Sequence, residues 1–166
     1  MEDLLKIDAV IIGAGPAGLG CSLSLRRRGV ESILILEASS VGSSFLAWPK
    51  EMRMITPSFH TNPFLQTDLN AIHPDTSPAD LHGCEHLSGT QYAAYLRAAV
   101  EHYALPVKEN QTVSSVQPTP NGFRIETAEL IIETPNVIWA GGEFSHPRIP
   151  AFEGASLCRH NSSIDS

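Results

Sequence analysis

Three glycines near the amino terminus carry the most specific chemical signal in this sequence. Gly13, Gly15 and Gly18 stand in G-x-G-x-x-G spacing directly after the apolar run Ala9–Ile12, and a helical pattern begins at Pro16. In this setting the first glycine makes a tight turn, the second lets the backbone approach a pyrophosphate, and the third lets helix and strand pack closely. The first helical turn then points N–H groups and the positive end of its dipole at the phosphates. The spacing predicts a dinucleotide-binding turn.

An acidic side chain follows at the end of the next predicted strand. That strand runs from Ser32 to Leu36 and leads into Glu37, about 20 residues beyond Gly18. A carboxylate at this position accepts hydrogen bonds from the ribose hydroxyls of an adenosine and repels a 2′-phosphate. The conjunction predicts an adenine dinucleotide as ligand. The alternative is an ordinary βαβ unit in which the glutamate has no ligand.

Two predicted helices would position these residues. The first runs from Pro16 to Arg28 and stops at Gly29, a natural C-cap. The second begins at a capping box made by Ser88 and Gln91. It ends before Pro106, and its apolar side chains recur at helical spacing. These side chains are Tyr92, Tyr95, Leu96, Ala99, Val100 and Tyr103.

The carboxyl-terminal part of the chain predicts strands. Thr112 to Val116 alternate as a short strand, Pro118 to Gly122 make a turn, and Val137 to Ala140 form a last apolar strand. Phe123 to Thr127 and Leu130 to Glu133 would pair as an antiparallel meander. The predicted fold class is therefore α/β, a Rossmann-like parallel sheet with a small antiparallel β-meander.

Between these parts lies a long stretch, Ser39 to Leu87, without a sustained helical or strand period. Its aromatic and apolar content indicates an ordered loop that contacts a ligand. The same stretch contains His82, Cys84 and His86 on one short loop. Zinc sites usually need four ligands at regular spacing, so surface histidines are the favoured interpretation and a metal site the alternative.

Composition limits the function classes. The 166 residues suit one domain with a real core, and the net charge of −7 is not clustered in a way typical of nucleic-acid binding. No apolar run approaches the roughly 20 residues that span a bilayer. The N-terminal segment lacks a signal-peptide core, so we expect a cytoplasmic protein. The three cysteines are widely spaced, which argues against a disulfide framework.

Four stretches together resemble the FAD-binding part of the flavin-containing monooxygenase-like group, within the pyridine nucleotide-dependent FAD oxidoreductases. They are the Gly13/Gly15/Gly18 fingerprint with Glu37, Val41-Gly-Ser-Ser-Phe-Leu-Ala-Trp48, Arg53-Met-Ile-Thr-Pro57, and Val137-Ile-Trp-Ala-Gly-Gly-Glu-Phe-Ser-His-Pro147 with Ile149-Pro150. The second stretch resembles the family's G-G-x-W motif with Ser43 and Phe45 substituted. The fourth resembles its A-T-G turn with Gly141 in place of Thr.

The resemblance implies a glutathione-reductase-type FAD-binding domain and a set of cofactor contacts. The implied contacts are Gly13, Gly15, Pro16, Ala17, Gly18, Glu37, Ala38, Ser43, Ser44, Phe45, Trp48, Val113, Ala140 and Gly141. The glycine turn would hold the pyrophosphate, and Glu37 the adenosine ribose. The backbone of Val113 would bind adenine, and the Phe45 and Trp48 rings would shield the flavin. Asn62 falls where the monooxygenases carry an active-site Asn; a simple turn residue before Pro63 is the alternative.

The activity implied by the resemblance is reduction of FAD by NADPH, followed by oxygen activation and attack on a small-molecule substrate. The family carries a second glycine fingerprint, for NADPH, and a further FAD segment beyond the part matched here. We therefore expect residues 1–166 to be the amino-terminal portion of an FAD-binding domain, inactive alone, with self-association through exposed apolar surface. Alternatives are a thioredoxin-reductase-like flavoprotein and a non-catalytic dinucleotide-binding module.

Overall fold

Seven strands and four α-helices make up the described part of the chain. A computed structural model describes residues 7–59, 68–144, 148 and 150–159. In chain order the elements are β1 (Ala9–Ile12), α1 (Pro16–Arg26), β2 (Ile33–Leu36), α2 (Ser43–Leu46), α3 (Pro78–His82), α4 (Gly89–His102), β3 (Val107–Lys108), β4 (Ser115–Thr119), β5 (Gly122–Glu126), β6 (Ile131–Thr134), β7 (Val137–Trp139) and a 3₁₀ turn (Ala155–Leu157).

Four of the strands form one parallel sheet in the order β3-β2-β1-β7. The central strands β1 and β2 are buried at every position, which explains their unbroken apolar sequences. Crossover segments containing α1 and α4 join β1 to β2 and β2 to β3. Strands β4, β5 and β6 form a separate antiparallel sheet, the predicted meander. The α/β class and the two kinds of sheet predicted from the sequence are therefore confirmed.

The two faces of β1 are covered differently. Val10 and Ile12 belong to a core cluster that also contains Leu34 and Leu36 of β2 and the meander residues Ile125 and Ile132. Ile11, between them, points the other way and lies close to Gly18 of α1. Since alternate side chains of a strand face opposite sides, helix and meander cover opposite faces of the sheet. Each such buried aliphatic side chain contributes about 1.5–3 kcal/mol to folding.

The described chain divides into two compact units. The sheet unit comprises Met1–Gly42 and Leu96–Gly141, with the parallel sheet, α1 and the meander. The loop unit comprises Ser43–Tyr95 and Gly142–Ser166, with α2, α3 and long connecting segments.

The first helix is shorter than predicted. It ends at Arg26 rather than Arg28, and Arg28 and Gly29 donate to carbonyls three residues back, in a tightened final turn. The Arg26 guanidinium donates to the carbonyl oxygens of Tyr103 and Ala104 at 2.7 and 3.1 Å, and so ties this end of the helix to the end of α4. Gly29 does adopt the left-handed conformation expected of a helix stop, with φ of 84°.

The meander strands are offset from the predicted ones. Thr112 to Ser114 are not in a strand, and β4 instead includes Pro118, which the sequence predicts in a turn. A proline is tolerated there because β4 is an edge strand of the meander. Gly122, with φ of 139°, begins β5 rather than closing the turn.

The stretch predicted to lack regular structure contains two short helices, α2 and α3. Helix α3 is too short to show a helical period, but its ends carry clear local signals. Ser77 caps it by accepting from the Ala79 N–H at 3.2 Å, Pro78 occupies its first turn, and Gly83 follows with φ of 62°. Strand β3 was also missed, because two residues after Pro106 carry no period.

Candidate dinucleotide-binding site

Two of the three fingerprint glycines are required by the packing of the sheet unit. Gly13 has φ of 108°, and a Cβ atom there would overlap the carbonyl oxygen of Ala140. A Cβ on Gly18 would overlap the Gly13 carbonyl oxygen and approach Ile11 Cγ2 to 3.2 Å. These contacts confirm the turn and close-packing roles that the spacing predicts.

Gly15 differs from its neighbours because nothing lies within 4 Å of the Cβ position. Its φ of −84° is open to any residue, so neither backbone strain nor packing within the protein demands glycine. The surface above Gly15 is a cradle that a side chain would fill. A glycine here leaves the main chain open to close approach, which a dinucleotide pyrophosphate would need.

The start of α1 offers hydrogen-bond donors at the same place. Gly15 is the N-cap and Pro16 opens the helix, and no described side chain caps it or places an acid in the first turn. The first N–H to bond within the helix is that of Leu19, which donates to the Gly15 carbonyl oxygen at 3.0 Å. The N–H groups of Ala17 and Gly18 come before it and have no acceptor within the helix, so an anion could bind them. Ala17 is exposed. The positive end of the helix dipole adds to this attraction.

Glu37 lies at the carboxyl end of β2 and is held by the turn itself. Its Oε2 accepts from the Ala14 N–H at 2.8 Å, and its Oε1 accepts from the Ser39 N–H at 2.9 Å. The side chain is 8 % exposed. The two bonds fix the carboxylate at the glycine turn, and a carboxylate is the acceptor type that ribose hydroxyls require. The residue after it, Ala38, is exposed.

The remaining predicted contacts of the sheet unit lie near its strand ends. The Ala140 N–H donates to the Ile12 carbonyl at 2.8 Å, which brings the end of β7 beside the glycine turn. Gly141 follows it and is exposed. Val113 packs against the core cluster with its side chain. Among the described residues, its main-chain N–H and C=O make no backbone hydrogen bond.

The predicted flavin-side residues lie in the loop unit. Ser43, Ser44 and Phe45 form most of α2, and the Phe45 and Trp48 rings are 5.0 Å apart. Sequence reasoning missed the third member of this cluster, Tyr92, whose ring meets Phe45 edge-on at 4.7 Å. It also missed Gly89, where a Cβ would overlap the Phe45 carbonyl oxygen. Asn62 lies outside the described residues.

Behind the aromatic cluster, the loop unit contains a buried polar network that the sequence did not reveal. Asp68, 4 % exposed, accepts from the Ser77 hydroxyl at 2.6 Å and from the Asn70 N–H at 2.8 Å. The Tyr92 hydroxyl donates to the Asn70 carbonyl at 2.8 Å. Burial, followed by the influence of Tyr95 and Asp68, raises the pKa of Tyr92 above its ordinary value.

The alternative metal site finds no support in the described residues. No three His, Cys, Asp or Glu side chains in that part of the chain are grouped to hold a metal ion. His82 instead places Nε2 2.7 Å from the Gln91 carbonyl oxygen, and His86 places Nδ1 2.9 Å from that of Met54. Both rings serve as hydrogen-bonding groups within the loop unit.

No described helix is long and apolar enough to cross a bilayer.

The parallel sheet, the glycine turn and the acidic end of β2 define a Rossmann-type, dinucleotide-binding oxidoreductase fold. The chain belongs to the pyridine nucleotide-disulphide oxidoreductase family, whose family model matches residues 10–166. The family is one of flavin-dependent oxidoreductases, which confirms the resemblance found in the sequence.

Individual relatives agree with this assignment. An uncharacterized oxidoreductase, CzcO, from Bacillus velezensis is 29% identical over 145 residues, which cover 87% of this chain and 39% of that protein. A flavin-containing monooxygenase from Stenotrophomonas maltophilia superposes with a TM-score of 0.78 at 23% identity, over 97% of this chain and 47% of that one.

Bacillithiol disulfide reductase from Staphylococcus aureus gives a TM-score of 0.75 at 24% identity, over 91% of this chain and 43% of that one. Both structural likenesses concern the fold. The chain spans about two-fifths of the length of the CzcO proteins that it matches.

Proposed function

We propose that this chain binds FAD and forms the FAD-binding part of a flavin-dependent monooxygenase. The observation that carries FAD binding is the open space above Gly15. Gly15 lies at the start of a helix that no described side chain caps, and the preceding residue, Ala14, donates its N–H to the Glu37 carboxylate. The residues therefore fit a ligand that has both a pyrophosphate and a ribose diol. When bound, FAD would take a hydride from NADPH and reduce dioxygen for attack on a small-molecule substrate.

The chain's own residues would bind and orient the cofactor. The turn from Gly13 to Gly18 would supply main-chain N–H groups to the pyrophosphate, and Glu37 would accept from the ribose. The carboxylate at Glu37 disfavours a 2′-phosphate, which supports FAD rather than an NADP-type dinucleotide at this turn. Phe45 and Trp48 would exclude water from the flavin portion, and Asn62 would hydrogen-bond near the reacting atoms.

Monooxygenase chemistry is the interpretation that the sequence motifs favour. The Val41–Trp48 stretch resembles the monooxygenase pattern. The segment directly after β2 also contains none of the cysteines that one reductase subclass carries there. The sequence holds a single glycine fingerprint, so we expect the isolated chain to bind FAD without oxidising NADPH.

The first test is the visible absorption of the purified chain, with chromatography of any chromophore released on denaturation. We expect FAD. The variant Gly15→Leu fills the open cradle and should abolish FAD binding while the chain stays folded. Ala94→Leu adds the same side chain at an exposed helix position and should leave binding unchanged. A folded wild-type chain that binds neither FAD nor ADP in titrations would contradict the proposal.

A second experiment separates the two flavoenzyme chemistries. The FAD-loaded chain is reduced with dithionite without air and then mixed with either oxidised glutathione or dioxygen. Dioxygen reoxidises any accessible reduced flavin and serves as the positive control, so the reaction with glutathione decides. Monooxygenase chemistry predicts that glutathione leaves the flavin reduced. Return of that spectrum with glutathione, together with release of thiol, would favour a disulfide reductase. Bound adenine nucleotide without flavin in the purified chain would favour a non-catalytic binding module.

A further inference from the structure

We propose that Gln111 is a positioning residue that holds the Val113 segment in place to recognise adenine. This inference rests on the FAD-binding function proposed above. It concerns a side chain that is polar, 8 % exposed and outside every motif found in the sequence. Gln111 lies in the sheet unit, in the segment that leaves β3.

The main chain at Gln111 is anchored to the predicted ribose-binding residue. Its N–H donates to the Glu37 carbonyl oxygen at 2.8 Å, and the preceding Asn110 N–H donates to the Ser39 carbonyl oxygen at 3.0 Å. Asn110 has φ of 57°, a conformation that asparagine tolerates better than most residues. The segment after β3 therefore stays beside the end of β2.

The side chain of Gln111 is clamped to the turn between β5 and β6. Its Nε2 donates to Glu129 Oε2 at 2.7 Å, and its Oε1 accepts from the Thr127 hydroxyl at 2.8 Å. The same hydroxyl accepts from the N–H groups of Glu129 and Leu130 at 3.2 and 3.0 Å. Both ends of the amide are thus occupied, and its orientation is determined.

The main chain between Gln111 and Ser114 is held at both ends by hydrogen bonds. Gln111 holds one end, and at the other the Ser114 N–H donates to the Glu126 carbonyl oxygen at 2.8 Å. Between them, Val113 packs its side chain into the core and, within the described residues, keeps its N–H and C=O out of backbone pairing. A peptide N–H and C=O match the acceptor N1 and donor N6 of adenine. In hypoxanthine both groups are reversed, so a positioned peptide should reject it.

The experiment measures the affinity of the chain for ADP and for inosine 5′-diphosphate by titration. The two nucleotides share the ribose and the pyrophosphate and differ in the base. We expect the wild type to prefer ADP. Gln111→Glu places a carboxylate against Glu129 and should lower ADP affinity about tenfold, with little change for inosine 5′-diphosphate. The double variant Gln111→Glu with Glu129→Gln exchanges donor and acceptor and should restore the preference.

Two further variants complete the design. Gln117→Glu makes the same charge change at an exposed β4 position, where the amide donates to Ser115 Oγ at 3.1 Å, and should change neither affinity. Glu129→Ala releases one side of the clamp at an exposed position, so it keeps the inference testable if Gln111→Glu does not fold. It should lower the ADP preference about threefold.

The outcomes separate the two proposals. No binding of ADP or FAD by the folded wild type overturns the proposed function. Binding of ADP with an unchanged preference in Gln111→Glu and Glu129→Ala overturns the role of Gln111 alone. Equal losses for both nucleotides also overturn it, because they show that the clamp merely stabilises the fold. A selective loss for ADP, restored by the double variant, supports it.

Discussion

The sheet unit and the loop unit hold their candidate site residues by different means. In the sheet unit, most of the contacts are made by main-chain groups. Gly13 and Gly18 pack closely against carbonyl oxygens, and two backbone N–H groups donate to the Glu37 carboxylate. In the loop unit, side chains such as Asp68 and Tyr92 hold the segments together. Where main-chain groups form the site, only certain residue types fit, and these residues lie close together in the sequence. The residues of a side-chain network come together only in the fold, so their spacing in the sequence follows no pattern.

The strongest test of this contrast is Gly13→Ala. The added methyl group would overlap the Ala140 carbonyl oxygen, and φ of 108° is strained for alanine, so we expect a loss of about 3 kcal/mol or more in unfolding free energy. Gly15→Ala is the matched control, since its Cβ meets nothing within 4 Å. It should cost about 0.5 kcal/mol. Urea denaturation measures both, and equal losses would show that the Gly13 contact is not decisive.

A smaller effect is expected from breaking the side-chain network with Asp68→Ala. The variant leaves the Ser77 hydroxyl and the Asn70 N–H without their acceptor in a buried place, which costs about 2 kcal/mol. Hydrogen exchange should show lost protection in the loop unit and little change in the sheet unit. Asp75→Ala, at an exposed position in the same unit, is the control. Uniform loss of protection across both units would contradict the separation.

Tyr92→Phe sharpens the comparison further. It removes the hydrogen bond to the Asn70 carbonyl and keeps the ring against Phe45, so it should cost about 1 kcal/mol.

The same hydroxyl predicts a pH dependence. Folding raises the pKa of Tyr92, so its contribution is fully present below the ordinary tyrosine pKa of about 10 and is lost as the pH rises above it. Denaturation from pH 8 to 11 should therefore show a steeper alkaline loss in the wild type than in Tyr92→Phe. Parallel curves would exclude this contribution.

The smallest expected effect concerns association. Ile55 and Leu157 of the loop unit are 93 % and 89 % exposed, and Trp139 of the sheet unit is 72 % exposed. Apolar surface of this kind favours self-association at high concentration. Sedimentation should show oligomers at high concentration. Trp139→Ser should lower their fraction if the sheet unit forms the contact, and Ile55→Ser should lower it if the loop unit does. A monomer at all concentrations would contradict the expectation.

How well the sequence predicts each region follows from this contrast. The glycine turn, Glu37 and the strand-helix-strand order were predictable because backbone conformation and close packing select residue types at short range. Strand β3 was not, since two residues carry no period. The Gln111 clamp was not either, because its partners Thr127 and Glu129 become neighbours only when the meander folds. Helix α3 is too short to show a helical period, but the cap residues Ser77, Pro78 and Gly83 mark both of its ends.

The bonds of Glu37 have a consequence for how cofactor preference can change in evolution. A common route from one dinucleotide to its 2′-phosphorylated form exchanges the acid after β2 for a neutral or basic residue. Here that exchange would also remove the acceptor of the Ala14 and Ser39 N–H groups, and so weaken the turn that binds any dinucleotide. A lineage descending from this chain would need a new acceptor for those two donors first. The glutamate therefore resists replacement for reasons of folding as well as ligand choice.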